Sequence, residues 1–402
     1  MAIAAFEKSA IFETAIADAS YANWKPPGEL WKILEDGGQT YEIWKGSLAD
    51  LAVQQMIKRI QILIPLFIEG GTLINVDDPE WVLERWTVFF LYQKNTEASS
   101  PISPYTFMGY STVYRYFFYK AITSSSSPYA NKQRIQHPAT LDFELSCQNR
   151  ASFSSLSCRS RISQFVILPP FQGRGNGSRF YTAIFDFYSK QPQTIEITVE
   201  DPNVDFDDLR DINDIAYLRT VPEFASLRIN TKANPRSKNA SSQPIMDSEV
   251  LEQLRLKVKI APRQFSRVVE MQLLSLIPTG VRQSMIEERP NITGTELAAK
   301  KHEYYLWQLF VKTRLYKHNK VTLMQLYRAE RIDKLEETLG AVEADYARLL
   351  RSVDKKNSWA LVEKNGNGTS THGNESAKRS SPTDAAGEGG EQSAKRVKFA
   401  EA

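Results

Sequence analysis

Apolar residues return at helical spacing over residues 51–68, at Leu51, Met56, Ile60, Leu63, Ile64 and Phe67, and Glu69-Gly70-Gly71 ends the run. Thr72–Val76 then reads as a strand closed by Asp77-Asp78-Pro79. Trp24-Lys-Pro-Pro-Gly28 is a turn signal, and Tyr41–Lys45 is strand-like. Trp86–Tyr92 and Phe107–Tyr119 are aromatic-rich strands with a Ser/Pro loop between them. With the apolar run Phe165–Leu168 they predict an antiparallel meander. A helix of aromatic-apolar spacing follows, at Phe180, Tyr181, Ile184, Phe185 and Tyr188. Ile195–Val199 alternates like a strand, Glu200-Asp201-Pro202 ends it, and Phe206–Asp214 opens a short helix. From Asp247 to about Asp354 the pattern is helical, punctuated by Pro262, Pro278 and Pro290, with one long amphipathic helix over Leu323–Val353. The fold class predicted is α/β (α+β).

Other stretches lack any period. Residues 120–157 hold the run Ser124–Ser127, and Leu145-Ser-Cys147 recurs as Leu156-Ser-Cys158. That segment reads as a flexible surface insertion or as a gene-model error such as a retained intron, since so long a loop is unusual inside a compact domain. Residues 232–246 read as a linker. After Lys355 the Gly/Ser/Glu/Lys-rich chain is expected to be disordered. The boundaries drawn are 1–60, 61–245, 246–354 and 355–402. In the tail, Ser393-Ala-Lys-Arg-Val-Lys-Phe399 is a basic cluster that reads either as a nuclear localisation signal or as a solvated charge group.

Length and composition narrow the field. At 402 residues the chain has room for two or three domains. A net charge of +3 excludes bulk electrostatic binding of nucleic acid. Cys147 and Cys158 fit a reducing compartment, and none of His137, His302, His318 and His372 has ligand-spaced partners, so no metal is expected. No apolar run approaches a membrane span.

The chemistry concentrates where the strand Phe165–Leu168 meets Gln172-Gly-Arg-Gly-Asn-Gly177 and a helix begins. A glycine turn at a helix start aims several backbone N–H groups at one spot, which suits a phosphate or pyrophosphate. A dinucleotide fingerprint fails because its third glycine falls on Ser178, and a Walker A ending is absent. An ordinary glycine-rich turn remains the plain alternative. If the strands before and after this helix are neighbours, Glu200 and Asp201 lie beside the turn, either as a base-forming acid pair or as a solvated turn. Glu69 stands at a helix C-terminus, where the dipole disfavours an acid. Asp77 and Asp78 read best as a turn. Along the strand through Tyr110–Tyr119, Tyr114 and Tyr116 share one face and Arg115 takes the other, as a peptide groove or as an aromatic core face.

These residues resemble a known family. Arg161 to Gly177, RISQFVILPPFQGRGNG, is similar to motif A of the type B histone acetyltransferase catalytic subunit. Ile197–Asn203, Leu209-Arg-Asp211, Phe67–Asp78 and Gly109–Tyr114 extend the resemblance, which runs from about residue 25 to 353 and looks fungal. It implies a GNAT acetyltransferase core flanked by an N-terminal α/β domain and a C-terminal helical domain. It implies acetyl transfer from acetyl-coenzyme A to lysines of the newly made histone H4 tail. By position, Phe165, Val166 and Ile167 would hold the pantetheine arm. Gln172, Gly173, Arg174, Gly175, Asn176, Gly177 and Ser178 would bind the pyrophosphate, with Asn203 as a further coenzyme contact. Glu200 matches the general base, Asp201 and Glu69 the acids that assist it, and Tyr114, Arg115 and Tyr116 a segment on the histone tail. The implied partners are a core histone tail and a WD-repeat histone chaperone, in cytoplasm and nucleus, with no direct nucleic acid and no membrane. The family also carries further chain ahead of the matched region, and this sequence is read as shortened there, with a short leader of unrelated appearance. A non-catalytic histone-binding scaffold and an acetyltransferase for another amine are the alternatives.

Overall fold

The computed structural model describes residues 23–95, 104–117, 156–233, 244–282 and 294–366. The leader, nearly all of the 120–157 insertion, the middle of the 232–246 linker and the basic cluster lie outside the described residues. The chain divides into two compact units, residues 1–225 with 247–268, and residues 226–246 with 269–402.

The first unit is built on a six-stranded sheet in sequence order: β1 (Glu29–Asp36), β2 (Gln39–Ser47), β3 (Trp86–Lys94), β4 (Tyr105–Phe117), β5 (Cys158–Ile167) and β6 (Thr194–Val199). β1 to β5 form an antiparallel meander, and β6 returns parallel to β5. β1 escapes the sequence pattern because both its faces stay partly exposed, so no apolar alternation marks it. Successive side chains of a strand face opposite ways, and both faces here are covered. On one face Val88, Phe90, Tyr92, Tyr110 and Val166 pack with Val53 and Ile57 of α1 (Leu51–Ile60). Ile64 of α2 (Leu63–Phe67) is buried too. The expected single helix over 51–68 is split, because Pro65 has no N–H and its ring crowds the carbonyl one turn back. Thr72–Val76 is not a strand either. Side chains rather than a ladder satisfy it: Ile74 N–H donates to Gln61 Oε1 (2.8 Å), and Gln164 Nε2 donates to the Thr72 carbonyl (3.0 Å).

After a short α3 (Glu80–Leu83), the next helix is α4 (Asn176–Ser189), the crossover between β5 and β6. It buries Phe180, Tyr181, Ile184, Phe185 and Tyr188, the stripe seen in the sequence. Its rings meet the other sheet face, with Phe165 to Phe180 at 5.2 Å and Phe89 to Tyr188 at 6.0 Å between centroids. α5 (Val204–Leu218) is longer than expected. Asn203 caps its start by accepting from Phe206 N–H (2.9 Å), and Asp205 and Asp207 favour its positive end. Then come α6 (Pro222–Ala225), α7 (Ser248–Val258) and α8 (Pro262–Ser275). The link between α7 and α8 closes the outer edge of β6, where Ile197 N–H donates to the Lys259 carbonyl (2.8 Å).

Behind the sheet sits a buried polar group. Asp214 accepts from Tyr181 Oη (2.8 Å) and Gln264 Nε2 (3.0 Å), and Gln264 also donates to Asp211 (2.9 Å). Burial pushes the Asp214 carboxyl up to about 6, against the opposing pull of Arg210 and of its two hydrogen bonds.

The second unit is helical. α9 (Gly294–His318) contacts α11 (Arg328–Gly366), with the short α10 (Lys320–Leu323) between them in the chain. α11 starts later than the amphipathic pattern suggests, because Tyr327 N–H is capped by Glu330 Oε2 (3.0 Å). It runs on to Gly366 through helix-forming Lys, Ala, Leu and Glu residues. Glu270, with no exposed surface, takes Arg314 in a two-pronged pair (2.6 and 2.8 Å) and Tyr346 Oη (2.9 Å). No helix among the described residues is long and apolar enough to cross a membrane.

Two stability tests follow from this packing. At Gly109 an added Cβ would lie 2.1 Å from the Val166 carbonyl oxygen, so β4 approaches β5 only as glycine. Gly109→Ala is expected to cost about 1–3 kcal/mol in a thermal melt. Gly340→Ala, on the exposed surface of α11 with nothing within 4 Å, is expected to stabilise by about 0.5–1 kcal/mol. The second test concerns Asp214, whose native pKa lies above the unfolded carboxylate value near ~3.9. The native state therefore holds this proton more tightly, and the stability it contributes is lost as pH rises from about 4 to about 6. Asp214→Asn is expected to remove about 3 kcal/mol of that decline, read as the difference between wild-type and variant unfolding curves across that range.

Candidate functional site

β5 is the strand on which the site is assembled. Its first half pairs with β6 from Cys158↔Thr194 to Ile162↔Val199, and the last bond is Glu200 N–H to the Ile162 carbonyl (2.8 Å). On the other side Thr112 opposes Gln164 and Val113 opposes Ile162, so Ser163 is an extra residue, a bulge. Asp201 takes a positive φ of 35° and Pro202 follows, so the chain leaves the sheet there. From Ser163 onward β5 keeps β4 and has no neighbour on its β6 side among the described residues.

The direction of the peptide groups along this edge follows from two bonds. Gln164 N–H donates to Thr112 Oγ1 (3.2 Å) and Leu168 N–H to the Met108 carbonyl (2.8 Å), both toward β4. Alternation turns the N–H groups of Phe165 and Ile167 to the open side. Val166 is placed differently: its peptide faces β4 and its side chain lies in the core, 3% exposed.

The glycine turn continues from that edge. Gly173 and Gly175 have φ of 73° and 76°, the left-handed region that favours glycine. Gln172 Nε2 donates to the Ile167 carbonyl (2.7 Å), and Asn176 Nδ2 donates to the Phe171 carbonyl (2.8 Å). Arg179 Nη1 donates to the Arg174 carbonyl (3.1 Å), and Arg179 N–H to that of Gly175 (3.0 Å). The carbonyls of Arg174 and Gly175 within the turn, and of Ile167 and Phe171 before it, are thus engaged. The backbone N–H groups from Gly173 to Ser178 have no acceptor among the described residues, as the first turn of a helix leaves them. Such a cradle fits a pyrophosphate and an extended amide-bearing arm running along β5. The Gln172 and Asn176 side chains brace the turn, and Ser178 Oγ accepts from Asn213 (3.1 Å). Asn203 is exposed, its side-chain oxygen spent on the α5 cap.

At the other end of the open edge stands Glu200, half-buried. Ser163 Oγ donates to Oε2 (2.6 Å), Tyr114 Oη donates to Oε1 (3.2 Å), and Arg161 Nε lies 3.8 Å from Oε1. The Tyr114 ring rests on Trp86 at 4.7 Å. Burial, then the Glu200 charge, raises the phenol above its ordinary range, so it stays a donor. Arg115 Nη2 is committed to the Glu84 carbonyl (2.8 Å), whereas Tyr116 is 50% exposed. Asp201 and Glu69 are both exposed. Glu69 precedes the segment that Gln164 holds at Thr72, so its loop is tied to β5 next to Ser163. Asp77 and Asp78 form the expected turn, with Asn75 Nδ2 on Asp78 (2.7 Å) and Lys58 Nζ on Asp77 (3.4 Å).

Sequence reasoning missed Ser163, Arg161 and Arg179. No local signal marks the bulge: Arg159-Ser160-Arg161 is already a polar run in β5, and burial alternates straight through Ser163 and Gln164.

Comparison with known proteins places the chain among named relatives. Residues 1–69 match the family described as histone acetyl transferase HAT1 N-terminus, and residues 224–276 match fungal HAT1, C-terminal. The first match includes the leader, so its unrelated appearance is corrected. A histone acetyltransferase type B catalytic subunit of Gibberella zeae is 44% identical over 363 residues, 88% of this chain and 72% of that protein. One from Pyricularia oryzae is 43% identical over 353 residues, with 88% and 72% covered. An aminoglycoside acetyltransferase structure from an uncultured soil metagenomic sample has 15% identity and a TM-score of 0.24, covering 41% of this chain and 80% of that one, a likeness too slight to bear on the argument.

Proposed function

The chain belongs to the family of type B histone acetyltransferase catalytic subunits, and we propose that it acetylates lysines of the newly made histone H4 tail with Glu200 as general base. Its mixed α/β first unit is the acetyltransferase core of GNAT type. The observation that carries the reading is the Glu200 carboxylate, fixed by two hydroxyls where the free edge of β5 begins. The N–H cradle lies at the far end of that edge. From Ser163 to Leu168 the strand spans roughly 17 Å.

Acetyl-coenzyme A supplies an acetyl group on a thioester, whose thiolate leaves readily. The protein's share of the work is to bind, orient and deprotonate. The Gly173–Ser178 N–H groups favour the phosphates, and the Phe165 and Ile167 N–H groups suit the amides of the arm. A lysine ammonium with a pKa near ~10.4 must lose a proton before its nitrogen can attack. The exposed carboxylates of Asp201 and Glu69 draw the cation in, and Glu200 takes the proton. Ser163 and Tyr114 hold both carboxylate oxygens, so the base does not swing. Tyr116, exposed on β4, is available to the peptide. A WD-repeat histone chaperone as partner, and residence in cytoplasm and nucleus, rest on the family likeness.

The test is thiol release from acetyl-coenzyme A with a histone H4 tail peptide. Glu200→Gln is expected to lower kcat by roughly 10²–10⁴-fold with little change in KM for acetyl-coenzyme A. Ser163→Ala and Tyr114→Phe are expected to lower kcat less. Full turnover by Glu200→Gln would overturn the base assignment, and transfer to free polyamines but not to the peptide would overturn the substrate.

A further inference from the structure

Arg179, which holds the Arg174 carbonyl of the glycine turn, is itself gripped by distant residues. One prong, Nη1, donates to the Arg174 carbonyl (3.1 Å) and to Asn176 Oδ1 (2.9 Å). The other, Nη2, is paired with Asp36 Oδ2. The guanidinium lies 5.8 Å above the Tyr41 ring, and its atoms come within 3.6–4.0 Å of where a Gly175 Cβ would stand. Asp36 ends β1 and Tyr41 lies in β2, so both grips come from the β1–β2 hairpin.

The chemistry of the turn gives this contact a purpose. An anion is stabilised by N–H groups and repelled by carbonyl oxygens, so the cradle works only while its carbonyls point elsewhere. Gln172 and Asn176 anchor the carbonyls of Ile167 and Phe171 from within the turn. Arg174, at the tip, has its carbonyl held by Arg179. As a partly exposed ion pair, Arg179–Asp36 contributes little stability by itself. Its value is geometric, because a planar fork spans three partners that a lysine ammonium on a flexible stem does not hold at once.

We infer that Arg179, clamped by Asp36 and Tyr41, is a coenzyme-positioning residue: the β1–β2 hairpin uses it to keep the Arg174 carbonyl turned away from the phosphate cradle. The inference rests on the reading of the turn as the pyrophosphate site. It adds that a hairpin remote in sequence sets coenzyme affinity.

The experiment measures Kd by calorimetry on the full chain, with coenzyme A and with pantetheine, which has the arm but no phosphates. Arg179→Ala and Arg179→Lys are expected to weaken coenzyme A about tenfold, and Asp36→Asn about threefold. Pantetheine affinity is expected to stay unchanged in all three, with melting midpoints near wild type. Should Arg179→Ala fail to fold, Asp36→Asn carries the test. If Arg179→Lys binds coenzyme A like wild type, Arg179 acts as a plain charge and the inference falls. Equal weakening of pantetheine and coenzyme A also overturns it. A wild-type chain that binds coenzyme A no better than pantetheine would instead overturn the pyrophosphate reading beneath it.

Discussion

The bond from Glu200 N–H to the Ile162 carbonyl is the last that β6 makes to β5, and the site exists because the ladder stops there. One residue later β5 bulges at Ser163, and on the other chain segment Asp201 turns away in a left-handed conformation. Two parallel strands that remained paired would leave no free peptide groups. Two that separate leave one strand with a bare edge, held straight by its other neighbour. β4 can hold it so closely only because Gly109 lacks a Cβ.

The separation also places charge. Glu200 is carried on the last peptide of the ladder, so its backbone is fixed while its carboxylate reaches into the gap. The bulge that opens the gap turns Ser163 onto that carboxylate. One irregularity thus supplies both the open edge and the donor that steadies the acid. Tyr114, from β4, supplies the second donor, and its ring is held by Trp86. At the other end of the edge, every named carbonyl of the glycine turn is tied down, and the N–H groups are left over. Negative charge is held at one end of β5, and groups that attract negative charge at the other.

Buried polar groups elsewhere follow the same economy of partners. Asp214 and Glu270 are both out of water, and each accepts from donors on two other helices. Helices whose apolar stripes alone would allow sliding are fixed by such contacts, since a shift would strand a buried carboxylate. None of these hydrogen-bond donors is close in sequence to its carboxylate. Tyr181 and Asp214 are 33 residues apart, and Glu270 and Tyr346 are 76 apart. No local pattern announces them.

The sequence by itself determined the elements with strong period, and it determined the glycine turn. β3, β4, α4 and the helical second half are legible because alternation and the 3.6-residue stripe are local properties. The turn is legible because glycines at those positions answer a backbone need. Family motifs in the same residues named the chemistry. The sequence misread what depends on a neighbour. Thr72–Val76 has the composition of a strand but finds side chains instead of a ladder, and β1 lacks alternation because neither of its faces is fully buried. Pro65 shows the opposite case, a local signal overridden in the reading by a strong apolar period. Only the tertiary structure decided which peptide groups of β5 face the gap, that Arg115 is spent on a carbonyl while Tyr116 is exposed, that Ser163 meets Glu200, and that Arg179 holds the Arg174 carbonyl. Those facts follow from register, bulge and strand separation, which arise when distant segments meet and which no single segment encodes.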